Sequence, residues 1–199
     1  MSRPAHRLDS VCVYCASSPD AEPALLAAAR RFGVILAEAG VRLVYGGGGL
    51  GLMGACAAAV HAAGGRVLGV IPSFLTEREA AFTKVPTVVV DNMHQRKMRM
   101  FKEADAFAVL PGAIGTLEEA IELLSWRRLG LHDKPIVFFN PDGFWDPLFA
   151  QFATFEASAL VPAEFGACWA QVSDIEALLP ALRAEPASRT AVEPVAERA

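Results

Sequence analysis

Apolar residues fall along this chain in two rhythms that take turns: short unbroken runs, and longer stretches in which they return every third or fourth position. The runs at 10–16, 41–45, 66–72, 87–90, 106–110, 134–140 and 169–172 read as strands, the one at 106–110 as a buried parallel strand. The stretches between them read as helices. Leu25, Ala29, Phe32 and Leu36 recur at helical spacing between 22 and 39, with Gly40 at the expected stop. An alanine-rich helix follows the second run and ends by residues 61–65. Met93, Met100 and Ala104 share one face of a third helix, and a fourth opens after the fifth run and carries its apolar stripe to Trp126 and Leu129. Residues 142–155 and 174–183 complete the set, whereas 73–84 has no period and reads as a loop or short helix. Strands alternating with helices throughout predict an α/β fold, a doubly wound and largely parallel sheet with helices on both faces.

Composition narrows the picture without naming a chemistry. The 199 residues suit a single domain at 9–184, with residues 1–8 and the Pro-, Ala-, Arg- and Glu-rich stretch 185–199 expected to be disordered tails. A 53% apolar content with a formal charge of −4 describes a globular protein with no basic excess, so nucleic acid is not an expected partner. No run approaches a membrane span and the first residues lack the apolar core of a signal peptide, so a cytoplasmic protein without membrane attachment is expected. Cys12 and Cys15 form a C-x-x-C, but on a strand residues three apart point to opposite faces, so no metal or redox pair is expected there. Cys56 and Cys168 read as core thiols.

The chemistry gathers where strands hand over to helices through glycine. After Leu110 comes Pro111-Gly112-Ala113-Ile114-Gly115-Thr116-Leu117-Glu118-Glu119. Such a turn exposes backbone N–H groups at the positive end of a helix, a site suited to phosphate. Thr116 and Glu119 admit two readings: the S/T-x-x-E of a capping box, or a carboxylate available for catalysis. A second turn, Gly46-Gly47-Gly48-Gly49-Leu50-Gly51-Leu52-Met53-Gly54, contains a G-x-G-x-x-G. Dinucleotide binding requires an acidic residue at the end of the next strand, and the run ending in Pro72 has none, so a backbone approach to a phosphate or base is preferred over NAD. On the third helix Arg96 and Lys97 flank the apolar face and can reach inward, or their stems can simply cross the core margin on the way to solvent.

Three segments, Tyr45 to Gly54, Met93-His94-Gln95-Arg96-Lys97 and Pro111 to Glu119, together resemble the LOG (Lonely Guy) family of cytokinin riboside 5′-monophosphate phosphoribohydrolases, whose members are often mislabelled lysine decarboxylases. The resemblance runs from about Val11 to Leu182. It implies a Rossmann-like sheet, a homodimer, and hydrolysis of the N-glycosidic bond of a nucleoside 5′-monophosphate to free base and ribose 5-phosphate, without cofactor or metal. It places Glu119 and Arg96 as catalytic residues. The expected substrate contacts are Ser18, Gly47, Gly48, Gly51 and Met53; then Glu79 and Lys97; then Gly112, Ala113, Ile114, Gly115, Thr116 and Glu118. The chain departs from the family pattern at Ala113, in place of the loop's second glycine, and at Ala16, in place of a glycine after the first strand. Ala113 strains the loop if its φ is positive and is nearly neutral if negative. A competing expectation is a nucleotide or nucleotide-cofactor carrier that uses the same cradle without catalysis.

Overall fold

The computed structural model describes residues 8–184. The seven apolar runs are strands of one sheet: β1 (Ser10–Tyr14), β2 (Arg42–Tyr45), β3 (Val67–Pro72), β4 (Thr87–Val90), β5 (Ala106–Val109), β6 (Ile136–Phe139) and β7 (Ala170–Val172). Every pairing is parallel, in the order β4-β3-β2-β1-β5-β6-β7. β1, β5 and β6 are buried along their whole length, which is why their sequences show unbroken apolar runs rather than alternation.

Among the described residues six helices cover the sheet: α1 (Pro23–Glu38), α2 (Gly51–Ala62), α3 (Met93–Glu103), α4 (Ile114–Arg128), α5 (Asp146–Ala157) and α6 (Leu178–Arg183). Two core layers result. On one face Phe32 and Leu36 of α1, Cys56 and Val60 of α2 and Leu178 of α6 pack on Val11, Val13 and Leu43. On the other, Met100 of α3, Leu123 and Leu124 of α4 and Phe152 of α5 pack on Cys12, Val44 and Phe107. Cys12 and Cys15 accordingly belong to opposite layers, and both are free thiols.

Three expectations shift. Leu8, assigned to a tail, packs partly buried against the first core layer, while 1–7 and 185–199 lie outside the described residues. The helix expected over 142–155 begins at Asp146. Asp142 sits at φ +49, and the Asn140 side chain, whose oxygen accepts the Trp145 N–H at 2.6 Å, holds the chain out of the helix until there. Trp145 is then buried edge-on against Phe138, and Trp145 and Phe152 fill the monomer's own core, while Phe144 stays exposed. The stretch 174–183 breaks into a short 3-10 turn followed by α6.

Strand order reverses between β1 and β5. In open α/β sheets such a switch point opens a crevice at the carboxyl ends of the strands, because the helices leaving the two strands go to opposite faces. β1 leads to residues 15–18, and β5 leads to the turn at 111–113.

Candidate active site

A cleft of about 300 Å³ occupies that crevice, at the lower end of the range for small-molecule sites. The two strand ends that frame it are tied together. The Leu110 N–H donates to the Tyr14 carbonyl at 2.9 Å, and the Ala16 N–H to the Pro111 carbonyl at 3.1 Å.

α4 begins on the cleft floor. Its N-cap is Ala113, which makes no side-chain cap, and no acidic residue stands in its first turn. The first N–H groups of a helix have no partner inside it. Here the adjoining residues are open as well: Ile114 is 79% exposed, and a Cβ added to Gly115 would meet nothing within 4 Å. Thr116 is buried and packs directly over Gly112, so the turn's second residue must be glycine. This geometry overturns the capping-box reading. Thr116 and Glu119 are the third and sixth helical residues, because the Gly112-Ala113 turn enters the helix earlier than a Thr116 cap would require.

Glu119 therefore carries no capping duty, and it lines the cleft. Burial pushes its carboxyl up to about 7; the Arg96 guanidinium opposes this, Glu118 and Glu79 add to it, and Lys97 subtracts. A carboxyl tuned to neutral pH inside a cleft is the kind of group that acts as a general acid or base.

Arg96 is 6% exposed, which rules out a side chain merely passing to solvent. Its Nη2 donates to the Gly46 carbonyl at 2.9 Å and its Nε to the Val70 carbonyl at 3.2 Å, so the ends of β2 and β3 hold the guanidinium. The Glu79 carboxylate stands 3.5 Å away, with Oε2 buried and without a hydrogen bond. Gly46 leaves room for this cation, since a Cβ there would overlap Nη2. Glu79 is presented by the loop after β3. Its carbonyl accepts the Gly49 N–H at 2.9 Å, and the next residue, Ala80, is held at φ +44.

Of the expected contacts, Ser18, Met53, Glu79, Arg96, Ala113 and Gly115 stand in the cleft wall, as do Thr116, Glu118 and Glu119. Gly112 and Ile114 belong to the turn but not to the wall, and Gly47, Gly48 and Gly51 lie behind it. Lys97 is outside as well. Its ammonium pairs with Glu118 at 2.6 Å and Glu122 at 3.1 Å. Ala113 has φ −98, so alanine is unstrained there; Ala16 forms part of the wall. The wall also includes Gly46, from the glycine turn expected to approach a ligand, and Tyr14, Met93 and Met100, which sequence reasoning did not assign to one. Two signals pointed to them: Tyr14 is the last residue of β1, on the α3 and α4 side, and Met93 and Met100 bracket Arg96 at helical spacing.

A parallel α/β sheet with an uncapped helix terminus, a neutral-range carboxyl and a buried guanidinium at its switch point defines a protein of the doubly wound class with a candidate anion-binding cleft. Comparison with known proteins is more particular. The family described as "Possible lysine decarboxylase" matches residues 53–182, and the chain belongs to this family, the LOG family. "Probable cytokinin riboside 5′-monophosphate phosphoribohydrolase LOGL1" of Oryza sativa subsp. japonica is 41% identical over 165 residues, 82% of this chain and 74% of the relative. LOGL5 of the same plant, with the same descriptive name, is 46% identical over 147 residues, 73% of this chain and 60% of its own length, so this chain spans well short of that whole protein. "Cytokinin riboside 5′-monophosphate phosphoribohydrolase LOG7" of Arabidopsis thaliana is 45% identical over 149 residues, 74% of this chain and 69% of the relative. Among solved structures, the molybdenum cofactor carrier protein MCP from Chlamydomonas reinhardtii superposes with a TM-score of 0.68 at 19% identity, covering 89% of this chain and 97% of that one. At that identity the likeness shows the fold alone.

Proposed function

We propose that this chain hydrolyses the N-glycosidic bond of a nucleoside 5′-monophosphate, AMP or a cytokinin riboside monophosphate, to free base and ribose 5-phosphate. The observation that carries the reading is Glu119, a carboxyl pushed up to about 7 in the cleft wall beside Arg96 and one turn beyond an uncapped helix terminus. The named activity of the relatives supports it.

The 5′-phosphate rests on the N–H groups at the start of α4 and on the Thr116 hydroxyl. Breaking the C1′–N bond sends its electron pair onto the base and leaves oxocarbenium character on the ribose. Ionised Glu119 stabilises that charge and takes a proton from the water whose oxygen closes on C1′; the departing base nitrogen is protonated in turn. Arg96, fixed by the Gly46 and Val70 carbonyls, holds the carboxylates in place, and Glu79 borders the sugar from the cleft wall. Ser18, Met53 and Ala16 border the nucleotide. The scheme uses protein groups and water alone.

The working unit in this reading is a cytoplasmic homodimer. Ile114 and Ile121, seven residues apart on one side of α4, leave apolar surface beside the cleft, consistent with a subunit contact. Sedimentation equilibrium would give twice the chain mass; a monomer at micromolar concentration would remove that part of the reading.

Purified protein incubated with AMP and with isopentenyladenosine monophosphate should release base and ribose 5-phosphate in equal amounts. Tight binding of either nucleotide without base release would convert the reading to a carrier.

A further inference from the structure

Arg96 and Lys97 are adjacent on α3, but a helix turns about 100° per residue, so they point in different directions. Arg96 points into the core, and Lys97 crosses to α4. There it meets two carboxylates four residues apart, Glu118 at 2.6 Å and Glu122 at 3.1 Å, on either side of Glu119 in sequence. The Lys97 side chain is 14% exposed, far more enclosed than a typical surface lysine, and it is absent from the cleft wall although Glu118 is present there. A role in holding substrate does not follow from this placement.

We propose that Lys97 is a positioning residue that acts through Glu118 and Glu122: the ion pairs pin α3 to α4 beside the cleft and set the field under which Glu119 holds or releases its proton. The inference rests on the hydrolase reading for its kinetic consequence but not for its electrostatic one.

The groups facing Glu119 can be enumerated. Arg96 and Lys97 come from α3, Glu79 from the loop after β3, and Cys12, Tyr14 and Cys15 from β1 and the residue after it. Glu118 and Glu122 are on its own helix. Arg96 is committed to strand-end carbonyls and to Glu79, and the thiols and phenol are held neutral by burial. That leaves the Lys97 network as the charge set best placed for adjustment. Burial disfavours the ammonium, but its hydrogen bonds to Glu118 and Glu122 outweigh this and raise its pKa, so it stays charged throughout the range in which Glu119 titrates.

The two partners act on Glu119 with opposite sign, and this provides the test. Carboxyl ¹³C NMR on the full, ligand-free chain, with the Glu119 resonance assigned by its loss in Glu119→Gln, reads the midpoint directly. Lys97→Met should move the midpoint up, because a cation is lost; Glu118→Gln should move it down, because an anion is lost; Lys97→Arg should leave it at the wild-type value. A tether without electrostatic effect would leave the midpoint fixed or move it the same way in both variants, and either result overturns the proposal. Glu122→Gln supplies a second anion removal should Glu118→Gln fold poorly. In kinetics the acid limb of kcat/KM should follow the same order. A raised KM for the monophosphate with an unmoved limb would instead place Lys97 on the phosphate and sink the proposal. Absence of base release by the wild type would refute the hydrolase reading alone, since the NMR midpoints would still decide this one.

Discussion

Two glycine-rich turns leave this sheet, one from β2 into α2 and one from β5 into α4, and in sequence both resemble phosphate loops. In the first, protein fills the space. The Gly49 N–H is spent on the Glu79 carbonyl and the Met53 N–H on the Ala16 carbonyl, at 2.9 and 3.3 Å. A Cβ on Gly51 would stand 2.6 Å from the Ser18 carbonyl, and one on Gly54 would overlap the Gly49 carbonyl. Gly47 and Gly51 also take φ of +81 and +58, open to glycine at little cost. In the second turn the helix start is uncapped and the space before Gly115 is open. Glycine thus serves opposite ends: in the β2 turn it lets backbone approach backbone, and after β5 Gly112 is packed under Thr116 while Gly115 leaves room for a ligand. A motif match records the glycines, whereas function depends on whether their N–H groups are already used.

The sharpest way to break this comparison is a methyl group in each turn. Gly54→Ala drives a Cβ into the Gly49 carbonyl, a backbone atom that cannot step aside without moving the loop carrying Glu79. The expected loss is about 3 kcal/mol or more in urea denaturation. A Gly54→Ala protein as stable as wild type would mean the β2 turn is not packed as described.

Next in size is Glu119→Gln, which asks whether the open turn leads to a catalytic group. Base release should fall at least about a hundredfold in a folded protein. The same substitution has a stability signature. With its carboxyl at about 7 against an ordinary 4.5, the folded chain binds more protons than the unfolded one between those values. Stability therefore declines as pH rises from about 4.5 through 7. Gln carries no such cost, so the variant should be more stable by on the order of 3 kcal/mol at pH 8 and indistinguishable near pH 4. Equal melting temperatures at pH 8 would show that burial does not strain this carboxylate.

Much of this was legible in the sequence. Buried parallel strands leave unbroken apolar runs, and β1, β5 and β6 were identifiable for that reason, while the edge strands β4 and β7 are short runs left half-buried or exposed. Glu119 and Arg96 stand out in the sequence only through the resemblance of their motifs to the LOG family; the residues alone left a helix cap and a side chain crossing the core margin open. Helix starts were less legible: α4 begins at Ile114 without a side-chain cap and α5 is delayed by Asn140, and neither is a local propensity. The division between wall and support was not legible either. Gly47, Gly48 and Gly51 differ from Gly115 only in what the loop after β3 and the end of β1 place against them, and those are long-range contacts. Lys97 shows the same limit, since its partners come from a helix about twenty residues on.

A smaller effect comes from Gly115→Ala, the open counterpart of Gly54→Ala. Among the described residues, nothing beyond its chain neighbours and its own helix backbone lies within 4 Å of the added methyl, and alanine favours the helix by up to about 1 kcal/mol, so stability should hold or rise. If a phosphate occupies that space, KM for the nucleotide should rise several-fold with kcat less affected. An unchanged KM would move the phosphate elsewhere in the cleft.

The smallest expected effect is at Ala113, the neighbouring N-cap, where the chain departs from the glycine of the family pattern. Its φ of −98 and ψ of −152 are open to any residue, so alanine relieves nothing and strains nothing. Ala113→Gly gains a little because glycine is the better N-cap, and loses about 0.4–1 kcal/mol through the freer unfolded chain. The two oppose each other, leaving a net change within about 0.5 kcal/mol and base release within about twofold of wild type. A large gain in activity with unchanged stability would show that the methyl group at 113 crowds the ligand, making the β5 turn less open than its empty surroundings indicate.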